Sequence, residues 1–204
     1  LLSNKKGRYA DFYNIWETYK LNNGMLFIAQ DRLFLYDIKN DTIRTWKAQN
    51  KFRHSCIFQG TFWTLDAGFG LRYIEGDELV TANTNPFFAS DSPALIQAYS
   101  GNELMIIADQ GIYLYNPNKQ DIELLNKDIG IYLSSLEAFA VKRLSNGNFA
   151  VGTSLGGLKI IDPKGKILRS ITKDNGLKSG SIYNLYEDNN QRLWVCMSNG
   201  LASV

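Results

Sequence analysis

Apolar residues come in short runs along this chain, and polar punctuation separates the runs. The clearest instance is Gly176 to Val204, GLKSGSIYNLYEDNNQRLWVCMSNGLASV. Ser181 to Glu187 interleaves β-branched and aromatic residues with polar ones, the pattern of a half-buried strand. Asp188-Asn189-Asn190-Gln191 predicts a turn, because Asp and Asn side chains bond their own backbone and tolerate left-handed φ. Leu193 to Met197 is continuously apolar, as expected of a strand covered on both faces. Ser198-Asn199-Gly200 turns the chain again, and Leu201 to Val204 opens a third strand.

The phrase recurs upstream. Gly147-Asn148-Phe149-Ala150-Val151-Gly152-Thr153 precedes Gly157-Leu158, Asn102 to Ala108 precedes Gly111-Ile112, Gly60 to Leu65 precedes Gly70-Leu71, and Gly24 to Ala29 precedes Arg32-Leu33. The anchors Leu26, Trp63, Met105, Ala150 and Trp194 are 37, 42, 45 and 44 residues apart. That spacing is close to the period of about 40–45 residues of a four-stranded propeller blade. Helical solenoids share the period, but a helix pair needs apolar residues at i, i+3 and i+4 over about ten residues or more. Here the apolar runs end sooner, at Asn-Gly, Asn-Pro or Gly-Asn. The pattern predicts an all-β chain without long helices, a β-propeller whose blades are antiparallel meanders.

Taken in order, the expected blades are residues 12–46, 54–80, 95–125, 136–171 and 181–204, five in one domain over 1–204. The fifth lacks a fourth strand, and an open blade leaves an unpaired edge that invites aggregation. Residues 1–11 could supply that strand and close a five-bladed ring. They alternate poorly, which favours the other arrangement, in which these blades belong to a larger propeller of the seven-bladed type. The same residues are polar and basic and carry no apolar core of a signal peptide. No run of about 18 apolar residues occurs anywhere, so this piece is expected to be soluble, with any export signal or anchor outside it.

Composition removes several function classes. Hydrophobic residues at 45% and aromatics at 13% can fill a large core. A net charge of +2, scattered rather than striped, gives no nucleic-acid footprint. Cys56 and Cys196 cannot define a disulfide framework or a four-ligand zinc site, and both read as small core residues. His54 is the single histidine, which excludes a His-rich metal site. The run Asp188-Asn189-Asn190 resembles part of a calcium loop but lacks its glycine and closing glutamate. Asn40-Asp41-Thr42 matches a glycosylation acceptor and is read as accidental. No catalytic residue, metal or cofactor is expected. Trp63 and Trp194 sit mid-strand and are expected to fill the space between neighbouring blades rather than to stack on sugar.

Gly176-Leu177, Ser181-Ile182, Glu187-Asp188, Leu193-Trp194-Val195 and Gly200-Leu201 together resemble the two-component regulator propeller repeat. Blade four keeps Gly152-Thr153 and Gly157-Leu158 of that pattern; blade five has Cys196-Met197 in place of Gly-Thr, and blades one to three are more degenerate. The resemblance implies the periplasmic sensor of a hybrid histidine kinase of the Bacteroidetes type, anchored at the inner membrane. It implies cues that are oligosaccharides from polysaccharide breakdown, and partners that are the remaining blades and a downstream β-sandwich of the same protein; a homodimer is a further candidate partner. The kinase activity itself cannot reside in these residues.

Loops entering each inner strand gather at one mouth of a propeller. Here they are residues 47–54, 81–94, 126–135 and 173–181. Arg53, His54, Phe87, Phe88, Asp91, Tyr132 and Lys178 are the candidate ligand-binding residues, since aromatic plates and charge-assisted hydrogen bonds suit carbohydrate. For Phe87 and Phe88, cover for a neighbouring blade is slightly favoured over ligand contact. A non-catalytic sensor is favoured over a protein-interaction scaffold, and both over a propeller-fold polysaccharide lyase or glycosidase. Such an enzyme needs paired carboxylates or a metal cluster facing one cavity, whereas the acids here fall mostly in turns and outer strands.

Overall fold

The computed structural model describes residues 14–89 and 95–204. Among these residues the strands form five antiparallel sheets, each following chain order. The first holds β1 to β4 (Glu17–Leu21, Gly24–Ile28, Arg32–Asp37, Thr42–Lys47), and the second β5 to β8 (Lys51–Phe58, Thr61–Ala67, Gly70–Glu75, Glu78–Asn83). The third holds β9 to β12 (Leu95–Ser100, Glu103–Ala108, Gly111–Asn116, Asp121–Asn126), and the fourth β13 to β16 (Ala138–Arg143, Phe149–Thr153, Leu158–Ile161, Ile167–Ile171). The fifth has three strands, β17 to β19 (Ile182–Glu187, Leu193–Met197, Gly200–Ser203). These are blades of the propeller type. Every repeat anchor lies in the second strand of its sheet, and Leu26, Trp63, Met105 and Ala150 are buried.

Two compact units are present, residues 14–53 with 64–89 and residues 54–63 with 95–204. In the first, Asp66 at the end of β6 is fully buried and ties down the loop before β5. Its carboxylate accepts from the backbone N–H of Gln49 at 2.7 Å and of Asn50 at 3.1 Å, and from Arg72 Nη1 at 3.0 Å. Arg72 also donates to Leu79 O at 2.9 Å and lies over the Phe69 ring, 5.3 Å from its centroid. A short helix α1 (Pro86–Ala89) packs on β7 with Phe88 buried.

The second unit explains why the second strand of a blade is so largely apolar. Successive residues of β14 point to opposite faces. Phe149 and Val151 join a core with Leu95, Met105, Ile107, Ile112, Leu133 and Ile161 of blades three and four and their connecting helix. Ala150 joins Leu158, Ile171, Leu177, Ile182, Leu185, Leu193, Val195 and Met197 of blades four and five. One strand therefore serves two cores, and a polar residue on either face would face apolar neighbours. A Cβ on Gly152 would meet the side chain of Ile182 on β17, so glycine lets the inner strand of blade five approach β14. Thr153 Oγ1 donates to Gly157 O at 2.9 Å and accepts from Gly156 N at 2.8 Å. The Gly-Thr and Gly-Leu elements of the repeat thus set one close approach and one turn.

Asp188 and Trp194, both part of the repeat phrase, form one hydrogen-bonded unit. The Asp188 carboxylate accepts from Asn190 N at 2.9 Å, Arg192 N at 3.0 Å and the Trp194 indole N–H at 2.9 Å. Gln191 in the turn takes φ 61°. Trp194 is half-buried; it holds the turn rather than simply filling an inter-blade gap, which corrects the expectation for this residue. The indole hydrogen bond, with the backbone bond from Arg192 next, holds the Asp188 carboxyl below its ordinary value of 3.8. A depressed folded-state pKa stabilises above the ordinary value and loses that contribution as pH falls through the lowered one. Acidification from about pH 6 to about pH 2, well below the ordinary value, is therefore expected to shift the Trp194 indole N–H resonance, and Asp188→Asn to abolish that titration. A resonance that ignores pH over this range in the native chain would refute the coupling.

Three further corrections follow. Residues 127–135, expected as loop, form helix α2 (Lys127–Ser135). Cys196, expected in the core, is exposed, whereas Cys56 is buried. The first strand, expected from residue 12, runs Glu17–Leu21, and residues 12 and 13 lie outside the described residues.

Candidate functional site

Helix α2 leads into β13. Asn126 caps it, its side-chain oxygen accepting from Ile129 N at 3.1 Å. A Cβ on Gly130 would collide with the backbone of Gly111, so this glycine lets the helix sit directly on β11 while Leu133 enters the core beneath. The exposed face of α2 carries Ile131 and Tyr132.

Two neighbouring loops are sewn to this helix end. Ser154 N donates to Glu137 O at 3.0 Å and Leu155 N to Leu136 O at 3.2 Å. Gly157 N donates to Gly180 O at 3.1 Å, and Ser181 Oγ to Ser154 O at 2.8 Å. Ser179 and Ser198 share a hydroxyl–hydroxyl bond at 2.8 Å, and Asn199 donates to Lys178 O at 3.1 Å. Lys159 supports the rim from below. Its side chain is buried, its ammonium donates to Gly156 O at 2.8 Å and to Ser170 Oγ, and burial pushes its pKa down.

In the same unit three rings meet. The His54 and Phe139 ring centroids are 6.1 Å apart with planes at 88°, and those of Phe139 and Tyr183 are 5.9 Å apart at 74°. Both contacts have the edge-to-face geometry favoured by ring quadrupoles. Phe139 is nevertheless 47% exposed and Tyr183 50% exposed. The cause lies in strand pairing. Ala138 faces Thr153 and Ala140 faces Gly152, so Phe139 is an extra, unpaired residue. Ile182 faces Met197 and Asn184 faces Cys196, so Tyr183 is the extra residue of blade five. Each ring is carried on a β-bulge, the device that re-aims a side chain out of the regular alternation.

Of the residues expected to bind ligand, His54 joins this cluster, and Tyr132 and Lys178 stand exposed on the surrounding rim of the same unit. Arg53 and the Phe87–Phe88 pair belong to the other unit. Phe88 is buried, and Phe87, half-buried, packs edge-to-face on it at 5.2 Å. Asp91 lies outside the described residues. Phe139 and Tyr183 were not among the expected residues. Their signal is a break in parity: Ile182 and Leu185 are both buried although three positions separate them, a spacing that an unbroken strand cannot place on one face.

Comparison with known proteins adds the following. The family model "Two component regulator propeller" matches residues 176–199. The fold is similar to the extracellular domain assigned to the hybrid two component system BT3049 from B. thetaiotaomicron, with TM-score 0.71, 12% identity, and coverage of 96% of this chain and 27% of that one. It is similar to the extracellular domain assigned to the one component system BT4673 from B. thetaiotaomicron, with TM-score 0.69, 12% identity and coverage of 94% and 27%. It is also similar to virginiamycin B lyase from Staphylococcus aureus, with TM-score 0.68, 13% identity and coverage of 98% and 75%. No curated protein matches the sequence significantly. At such identities the likeness shows the β-propeller fold alone, and an extracellular domain of a two component system and a lyase sharing it illustrate that fold does not select chemistry. The chain spans about a quarter of the length of the two extracellular domains.

Proposed function

We propose, starting from a chain that carries a two-component regulator propeller repeat at residues 176–199, that this is a non-catalytic recognition propeller outside the cytoplasm. It is part of a two-component regulatory system. Its ligand is an oligosaccharide released from a polysaccharide, and occupancy is passed to a kinase elsewhere in the same protein. The five blades belong to a larger extracytoplasmic assembly of blades. The observation that carries this reading is the repeat match, and the fold likeness to two extracellular domains of signalling proteins supports it. Among the described residues no helix is long and apolar enough to cross a membrane.

Coupling of this kind requires ligand to bind one signalling state better than another. Isothermal titration of the intact chain against a panel of plant and host oligosaccharides is expected to show saturable binding, with every sugar recovered unchanged. Formation of a product from any of them would replace the sensor by an enzyme.

A further inference from the structure

Residues opposite one another in an antiparallel ladder share a face, so register alone groups the side chains on each side of a blade. In blade four, Ala140 and Leu158 lie opposite Gly152, and Lys142 and Ile160 opposite Ala150. Ala150 and Leu158 are buried in the core shared with blade five, and Ala140 and Ile160 pack against it. Blade three does the same one step earlier, with Met105 and Ile107 in the core shared with blade four. Each of these faces is covered by the sheet that follows in the chain. The matching residues of blade five are Asn184 and Leu201 opposite Cys196, and Tyr186 and Ser203 opposite Trp194. Leu193, Val195 and Met197 point the other way, into the core with blade four. Blade five thus exposes the face that its predecessors bury: Leu201 is 61% exposed where Leu158 is 0%. None of these blade-five residues is charged. The edge repeats the contrast. The other four sheets carry a fourth strand outside the third, whereas β19 is outermost in its sheet among the described residues. Val204 and Leu193 exchange both backbone hydrogen bonds, at 2.8 and 3.2 Å, so alternation turns the backbone groups of Leu201 and Ser203 outward. β19 has no charge or proline of the kind that blunts a solvent-facing edge.

We propose that this face and edge receive the next stretch of the same polypeptide, an outer strand on β19 and then a further blade over Tyr186, Trp194, Cys196 and Leu201. This deepens, and rests on, the larger assembly of blades above. The same polypeptide is the occupant because, for blades three and four, the fourth strand and the covering sheet both come next in chain order. A tryptophan is compatible with such cover, since Trp63 at the matching place in blade two is buried. Side-chain size specifies the newcomer further. Gly152 leaves room for Ile182, which opens the inner strand of blade five. At the matching place blade three has Ile107, and blade four opens its inner strand with Ala138, which packs on the same core. Small meets large and large meets small, as a close-packed interface requires. Cys196 at this place calls for glycine, alanine or serine where the incoming inner strand begins.

The test is thiol labelling with dithionitrobenzoate, read at each cysteine by peptide mass spectrometry. The 204-residue chain is compared with the full polypeptide that its gene encodes. Cys196 is expected to react at least about tenfold more slowly in the full polypeptide, because a covered thiol reacts only through local opening. Cys56, buried inside the chain, is expected to stay slow in both and serves as the reference. Leu201→Lys is expected to leave the thermal melt of the 204-residue chain unchanged and to restore fast Cys196 labelling in the full polypeptide. Equal Cys196 rates in the two proteins overturn the interface, as does a bulky residue where the incoming inner strand begins. Protection of Cys196 in the 204-residue chain that grows with protein concentration assigns the face to a second copy and overturns it too. Each of these results leaves saccharide recognition standing, and a failure of every saccharide to bind leaves the interface standing.

Discussion

Asp66→Ala is expected to destabilise the protein by about 3–5 kcal/mol, the cost of leaving a buried ionic partner alone. Asp66 is fully buried and the Arg72 side chain is 10% exposed. Removing the carboxylate strands the guanidinium with carbonyl acceptors only and deprives Gln49 N and Asn50 N of their acceptor. Arg72→Met is expected to cost less, because Asp66 keeps two backbone donors, and such donors satisfy a buried carboxylate well. Urea unfolding of the two variants measures the difference. If Arg72→Met is the more damaging of the two, the carboxylate is not the centre of this cluster and the loop is held by other means.

The second large effect is expected at the opposite end of the polarity scale. Phe149→Ala should cost about 3–5 kcal/mol, transfer loss plus cavity. The ring is fully buried, stacks on Tyr99 with centroids 5.8 Å apart and planes 9° from parallel, and touches the core that includes Leu133 of α2. Its neighbours come from two blades and a helix, so no single movement can close the void. Leu168→Ala, on an outer strand at 52% exposure, serves as control and is expected within about 0.5 kcal/mol of native. Equal losses for the two would mean that the inter-blade packing does not stabilise the fold.

The blade architecture was legible because the second strands of blades two, three and four are buried on two sides, which writes itself into the chain as a long, mostly apolar run. Leu104 to Ala108 and Phe149 to Val151 could hardly be anything else. Helix α2 was less so. It spans nine residues, contains Gly130, a poor helix former, and presents only Ile129 and Leu133 at helical spacing to the interior. Its glycine is explained by the backbone of Gly111, a contact between distant segments that no local pattern carries. Asn126, three residues before the N–H it caps, was the one local cue. The Asp66–Arg72 pair is hidden for a similar reason, since six positions and a turn separate two charges that meet only when β6 and β7 fold against the preceding loop. Of the candidate site, His54 was found by its chemistry. Phe139 and Tyr183 were passed over because period-two reading assigns every strand residue to one of two faces, and an extra residue belongs to neither.

That arithmetic has an evolutionary corollary. Removing Phe139 or Tyr183 altogether would leave Ala138 next to Ala140, and Ile182 next to Asn184, each pair already opposite adjacent residues of the neighbouring strand. The sheet would close over the deletion as an ordinary ladder. Single-codon insertions and deletions at these two places can therefore add or subtract an exposed aromatic ring while the blades keep their cores, so related propellers can diverge here by length as readily as by substitution.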